Sequence, residues 1–280
     1  MSMKKLDDLL ALVRVRAGQR VALRQRDPDG EACLKYIDKD AAPQALGLLC
    51  RKLAKLQEII YAEHKHKILI VLQAMDTAGK DSVIRHVFGS LNPLGVRAIN
   101  FRAPTLTELD HDYLWRVHAQ APGKGEFVVF NRSHYEDVLV VRVREYVTPQ
   151  IWKRRYEQIN DFERMLCAEG TTILKFFLQI SASEQKKRLE ERRDNPRKQW
   201  KFRHEDIEER KFWLQYQTAY AAALTKTNTV WSPWHIVPAN RKWLRDLIVA
   251  GSVVRALENL RPRLPAASGM DTEVEIPAVD

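Results

Sequence analysis

The stretch "VLQAMDTAGKDSVIRHVF", residues 71–88, most narrows what this chain can fold into. An apolar run gives out at Gln73, and a short polar loop follows. Val83, Ile84, Val87, Phe88 and Leu91 then recur at helical spacing. A strand that delivers a Gly-Lys loop to a helix start is the setting in which backbone N–H groups and the positive helix end receive phosphate. The usual spacing is G-x-x-x-x-G-K-[ST]; here Ala74 replaces the first Gly and Asp81 replaces the metal-binding hydroxyl. The N–H groups around Ala78, Gly79, Lys80 and Asp81 are expected to cradle phosphate oxygens, and Lys80 adds a full charge. Ser82, one place late, replaces the hydroxyl only if the loop shifts. Asp76 is the anomaly, because a bare carboxylate among phosphates is repelled by roughly several kcal/mol at low dielectric. Either it turns aside to cap the loop, or it shares Mg²⁺ with the phosphates. Phosphoryl transfer needs such an ion, so a metal-binding or nucleophile-orienting Asp76 is the expectation, with Mn²⁺ an acceptable substitute.

The rest of the chain fits an α/β fold around that unit. "ILIVLQA", "VRAINF", "EFVVFN", "TTILKFFLQI" and "WHIVPA" are short apolar runs with connections long enough for helices. That pattern predicts a five-stranded parallel sheet covered on both faces. Residues 42–66 predict one long amphipathic helix. Residues 1–40 read as a lead-in with a turn at "RDPDGE", 41–261 as one folded domain, and 262–280 as a mobile tail. Repeats and dividing linkers are not visible.

Charge bears on function more than composition does. Lys and Arg outnumber Asp and Glu 46 to 36, for a net +10 and a pI near 9.5. The excess points to an anionic partner, whether nucleic acid, a membrane surface or a polyanionic substrate. No run approaches the roughly 20 apolar residues of a membrane span, and no signal-peptide core is present, so the cytoplasm is the expected compartment. Cys33, Cys50 and Cys167 lack metal or disulfide spacing and read as buried thiols.

Three further stretches carry candidate chemistry. "GEFVVFNRSHYEDV" turns polar at Asn131, so Asn131 and Arg132 are expected at a strand's carboxyl end, facing the loop. Arg132 suits transition-state phosphate oxygens; His134 reads as packed or hydrogen-bonded rather than metal-bound. Glu136 offers a carboxylate to an adenine amino group or a ribose. "KKRLEERRDNPRKQWKFR" is the densest basic stretch: Arg188 and Arg192 share a helix face, Asn195 and Pro196 break the helix, and Lys198 and Lys201 flank Trp200. In "NFRAPTLTELDHDYLWR", residues 109–116 look helical, and Arg102 and Arg116 can hold an acceptor's phosphate with Phe101 or Tyr113 against a base. Asp110, His111 and Asp112 do not read as a metal site, because adjacent side chains on a helix diverge.

Together "AMDTAGKDS", "FRAPTLTELDHDYLWR", "FNRSHYEDVLVVRV" and "RKQWKF" resemble the polyphosphate kinase 2 family, more narrowly its class III subgroup, over residues 42–260. The resemblance implies a P-loop kinase fold similar to thymidylate kinase, with a helical lid at about 183–210. It implies Mg-dependent phosphoryl transfer from inorganic polyphosphate to AMP and ADP, yielding ATP, with the diphosphate step reversible. It makes Asp76 and Lys80 central to catalysis, and matches Arg188, Arg192, Lys198 and Lys201 to basic lid positions. It ties Glu136 to acceptance of monophosphates, and implies a dimer or tetramer. Asn131 departs from the wider family's aspartate, which puts its metal bond in doubt. Two other readings compete. A nucleoside-monophosphate kinase using ATP is disfavoured by the distorted loop. A basic nucleic-acid-binding protein leaves the strand, loop and helix unexplained, so no nucleic-acid partner is expected.

Overall fold

The computed structural model describes residues 2–265; the rest of the expected tail, 266–280, lies outside the described residues. The chain begins with α1 (Met3–Val13) and α2 (Ala42–Glu63), then β1 (Lys67–Ala74) and α3 (Lys80–Val87). After β2 (Val96–Asn100) come two single turns, α4 (Leu106–Leu109) and α5 (Trp115–His118), and then β3 (Phe127–Asn131). A third single turn, α6 (Val140–Val143), precedes α7 (Pro149–Ala168) and β4 (Thr171–Gln179). Helices α8 (Ala182–Asp194), α9 (His204–Lys211) and α10 (Trp213–Lys226) lead to β5 (Trp234–Pro238) and α11 (Lys242–Leu260).

All five apolar runs are strands of one parallel sheet, in the order β2-β3-β1-β4-β5. Strand β1 is buried along its length after Lys67, as a central parallel strand must be. Strand β2 is half exposed because it forms the sheet edge, where Arg97 pairs with Glu126 at 3.0 Å. The chain leaves β1 for β2 on one side and leaves β3 for β4 on the other. The carboxyl ends of β1 and β3 therefore flank the switch point at which such sheets receive ligands.

Helix α2 ends at Glu63, short of the expected His66, because His64 takes a left-handed conformation (φ 50°) that closes the last turn. Residues 109–116 are not one helix. Thr105 caps α4, and Asp112 Oδ1 accepts from the N–H groups of Leu114 and Trp115, which breaks the run into two turns. Cys33 is buried as expected, but Cys50 and Cys167 are only half-buried; all three are free thiols. Burial pushes the Cys33 and Cys167 thiols up to about 11.

The lead-in folds onto the domain. Leu6, Leu9 and Val13 of α1 are buried, Arg255 grips Asp7 through two bonds of 2.7 and 2.9 Å, and Val15 N–H donates to Trp234 O. The Asp27–Gly30 turn then lies beside the carboxyl ends of β4 and β5. Gln179 donates to Leu23 O and Arg26 O, and Arg241 donates to Asp29 O. Gly30 (φ 69°) is required there, since a Cβ would stand 2.7 Å from Leu244.

Beneath β3 and β4 lies a fully buried ion pair, Lys175 Nζ to Glu163 Oε2 at 2.6 Å. Tyr135, His134 and Ser232 donate to or bridge the same carboxylate, and Lys175 also donates to Thr227 O. Burial alone would raise the Glu163 carboxyl, but Lys175 and His134 reverse this and hold it at about 2. His134 is thus hydrogen-bonded inside the core.

His235 of β5 is buried beside Lys175 O, and burial depresses its imidazole from 6.5 to about 4. Above pH 6.5 it is neutral in both folded and unfolded chains. As pH falls from 6.5 to 4 the unfolded chain takes a proton that the folded one refuses, so stability falls with pH. The full effect is roughly 3–4 kcal/mol at about 1.4 kcal/mol per pKa unit. Urea unfolding midpoints should drop across that window, and His235→Leu should flatten the slope there.

Candidate active site

Strand β1 carries its last apolar residues to the carboxyl end of the sheet, and the chain then turns through Met75–Gly79 into α3. Gly79 sits at φ 104°, and a Cβ there would stand 2.0 Å from Arg245 Nη1, so no other residue fits this turn. Thr77 is held at φ 64°, where a β-branched residue is rare, at a cost of order 1–3 kcal/mol. The loop carbonyls are held from behind. Arg188 donates to Thr77 O (3.0 Å) and Ala78 O (3.3 Å), Arg245 donates to Ala78 O (3.0 Å), and Gln185 donates to Asp76 O (3.2 Å). Ala78 N–H is used within the loop, donating to Met75 O at 3.3 Å, so the N–H groups at the start of α3 are the ones that face an anion.

Lys80 opens α3 and donates to Ala74 O at 3.0 Å. Burial pulls its ammonium below the ordinary value; Arg132 adds to this, and Asp76, Glu136 and Asp81 oppose it. At the end of β3, Arg132 is also left-handed (φ 63°) and its guanidinium meets Asp76 Oδ1 at 3.2 Å. Asn131 Nδ2 donates to Asp81 Oδ1 at 2.8 Å. The loop's departure at Asp81 and the departure from the wider family's aspartate at Asn131 are therefore partners: a neutral amide at 131 gives Asp81 a donor where an aspartate would repel it. Ser82 Oγ accepts from Arg245 and so belongs to the loop's support.

Glu136 follows in the turn His134–Val138. Gln73's amide, oriented with its oxygen toward Ser133, donates to Glu136 Oε1 at 3.2 Å. Burial raises the Glu136 carboxyl, and Arg132 and Lys80 offset part of that rise.

The basic stretch forms a helical cover of α8, a turn at Gln199–Lys201, and α9. Helix α8 ends at Asp194, ahead of Pro196, as expected. Part of its charge is spent internally: Arg192 pairs with Asp206 at 3.3 Å, and Lys198 pairs with Glu191. Arg197, Lys201, Arg203 and an exposed Trp200 remain along the cleft.

Two clefts meet at Asp76, Arg132, Arg203 and Asp206. The larger, about 1080 Å³, runs between the phosphate loop and the cover and is lined by twelve Lys or Arg side chains against four Asp or Glu. The smaller, about 540 Å³, holds Glu136 with Glu205, Glu209 and Tyr216. The structure brings Asp76, Gly79, Lys80, Asp81, Ser82, Phe101, Arg102, Asn131, Arg132, Arg192, Lys198 and Lys201 to the large cleft. Ala78 is buried beneath it. Arg188 reaches the cleft wall, but its guanidinium is committed to Glu184 and to the carbonyls of Thr77, Ala78, Ala239 and Asn240. Of the residues expected at the nucleotide, Phe101, Arg102 and Asn131 line the large cleft. Phe101 is packed edge-on against Phe130, Arg116 lies over Phe101 while bonded to Arg102 O and Glu108, and Glu136 faces the smaller cleft. Arg245 and Gln185 escaped the sequence reading. For Arg245 the one signal was a charged pair, Arg245-Asp246, set in the apolar run of α11.

A phosphate-receiving loop at the switch point of a parallel sheet, with a lysine, an arginine–aspartate pair and a basic helical cover, defines a phosphotransferase of the P-loop kinase class. The family model described as polyphosphate kinase 2 matches residues 36–265, and the chain belongs to that family. It is 54% identical over 252 residues to an AMP/ADP-polyphosphate phosphotransferase of Meiothermus ruber, covering 90% of this chain and 94% of that protein. It is 41% identical over 242 residues to an ADP-polyphosphate phosphotransferase of Rhodopseudomonas palustris, covering 82% and 84%. Among solved structures it is similar to polyphosphate kinase 2 from Arthrobacter aurescens TC1, with a TM-score of 0.89, 42% identity, and 93% and 92% coverage. Among the described residues no helix is long and apolar enough to cross a membrane.

Proposed function

We propose that this protein transfers phosphoryl groups from inorganic polyphosphate to AMP and ADP, forming ADP and ATP. The large cleft carries the reading: twelve cations line it, and it opens onto Asp76, Lys80 and Arg132. A polyphosphate chain bears charge on nearly every unit and suits such a lining. Its terminal phosphoryl rests on the loop N–H groups and Lys80, and Arg132 takes up charge as the bridging P–O bond loosens. An oxygen of the acceptor's last phosphate attacks in line, so one phosphoanhydride breaks as another forms; with ADP as acceptor the step is reversible.

The residues fit Mg²⁺, or Mn²⁺ with the same oxygen ligands. Mg²⁺ is usually held by one or two carboxylates together with phosphate oxygens, not by a protein cage. Asp76 and Asp81 stand on the cleft, Asn131 Oδ1 is buried without a hydrogen-bond partner, and no cluster of three ligating side chains exists among the described residues. Asp76 and Asp81 would hold the ion, which would neutralise oxygens of the transferring phosphoryl.

Incubation with AMP, Mg²⁺ and long-chain polyphosphate, without ATP, tests the proposal by nucleotide chromatography. ADP and then ATP are expected. Silence there, with ADP formed once ATP is supplied, would make the donor ATP and overturn the reading.

Glu136 is assigned to the acceptor's base or ribose in the smaller cleft. AMP offers the loop one phosphate fewer than ADP, so it depends more on such contacts. Glu136→Asn should lower kcat/KM for AMP by about tenfold, the size of one hydrogen bond to a charged group, and for ADP by much less. Equal losses in steady-state assays would remove Glu136 from acceptor sorting.

A further inference from the structure

Gln185 is buried, 1% exposed, in the first turns of α8, and both ends of its amide are used. Its Nε2 donates to Asp76 O at 3.2 Å, and its Oε1 accepts from Arg210 Nη1 at 2.6 Å. Arginine only donates, so the amide's orientation is fixed: oxygen toward Arg210, nitrogen toward Asp76. Arg210 stands in the last turn of α9, the returning arm of the cover, and the same Nη1 donates to Ala182 O at 2.9 Å. One buried amide thus joins the cover's far arm to the backbone of the residue that meets Arg132. The peptide it grips lies between Asp76 and Thr77, which is held at φ 64°. A strained residue keeps such a conformation only where its surroundings over-determine it. The grip on Asp76 O fixes that peptide plane, and with it the direction of the Asp76 side chain.

We infer that Gln185 is a positioning residue that ties the placement of Asp76 to the placement of the cover's α9 arm. Displacement of α9 moves Arg210, turns the Gln185 amide, and frees the Asp76–Thr77 peptide. The crown of the cover supplies Arg197, Lys198, Trp200, Lys201 and Arg203 to the large cleft, and Asp206 of α9 lines it as well. Substrate held there orders the arm, and the arm orders the catalytic carboxylate.

The inference rests on the phosphotransfer reading only for its kinetic consequence, so the deciding measurement uses no substrate. Hydrogen–deuterium exchange followed by mass spectrometry would be run on wild type, Arg210→Met and Arg210→Lys. Arg210 makes no hydrogen bond to the phosphate loop, yet Arg210→Met should speed exchange in the peptide spanning 74–82 at least threefold. Arg210→Lys, which keeps a donor, should recover part of the protection. Unchanged exchange in 74–82 while exchange in α9 rises would overturn the proposal, because Arg210 would then be only a local anchor. In turnover assays with tripolyphosphate, Gln185→Met and Arg210→Met should each lower kcat about thirtyfold with KM within threefold. The double variant should be no slower than either single one. Multiplying losses, or a well-folded Gln185→Met with kcat within twofold of wild type, would overturn it as well. Should Gln185→Met fail to fold, Gln185→Glu serves: it keeps the acceptor for Arg210, loses the donor to Asp76 O, and is expected to show the same fall in kcat.

Discussion

Lys80→Ala is expected to lower phosphoryl transfer by at least about a thousandfold, in line with the loss of a cation that stabilises a transferring phosphoryl group. Far-ultraviolet circular dichroism should be unchanged, because the Lys80 side chain makes one hydrogen bond, to Ala74 O, and supports no other element. Burial has already stripped much of the water from this ammonium and lowered its pKa, so it meets a phosphate oxygen with little further desolvation. The loop N–H groups would remain in Lys80→Ala, and polyphosphate binding by calorimetry should weaken far less than kcat falls. Lys80→Arg should not restore the rate, since a planar fork cannot occupy the place of a compact ammonium at the start of a helix. Residual turnover within tenfold of wild type would remove Lys80 from the mechanism.

Asp76→Asn is the second large effect, about a hundredfold or more in kcat, with a higher Mg²⁺ concentration needed for half-maximal rate. The substitution keeps the shape and still offers an oxygen to Arg132, so the 3.2 Å contact can persist without its charge. What it removes is the anionic oxygen that would share the ion with the substrate. A variant that only lost its grip on Arg132 would fall in rate with its Mg²⁺ dependence unmoved. Titrating Mg²⁺ at saturating polyphosphate separates the two: an unchanged midpoint would assign Asp76 to orienting Arg132, not to the metal.

Much of this architecture was legible because its signals are local. Continuous apolar runs bounded by polar loops mark buried parallel strands, and all five became strands. Glycine followed by lysine at a helix start marks an anion loop irrespective of the remaining chain. Illegible were the partners that depend on tertiary placement. Arg188 reads as one more charge in a basic helix, yet it is buried, and its guanidinium closes the loop's carbonyls from behind. Phe101 or Tyr113 reads as a ring for a base; that Phe101 also packs edge-on to Phe130 at a centroid distance of 4.9 Å, while lining the large cleft, depends on the sheet. Gln185 carries no sequence signal, because a neutral polar residue on a charged helix looks solvated until the fold buries it. Residues 109–116 failed for a smaller reason: Asp112 competes for the very backbone N–H groups that a continuous helix would use.

The docking of the lead-in has a consequence for how this protein is made. Asp7 pairs with Arg255, 248 positions later, and Val15 bonds to Trp234 in the last strand. On a ribosome, the segment that emerges early finds its seat only after β5 and α11 have been synthesised. Leu6, Leu9 and Val13 therefore wait for their seat until α11 has emerged, and closing so long a loop is among the slow steps of folding. A nascent chain halted before β5 should present this apolar face to chaperones, and emergence of α11 should withdraw it.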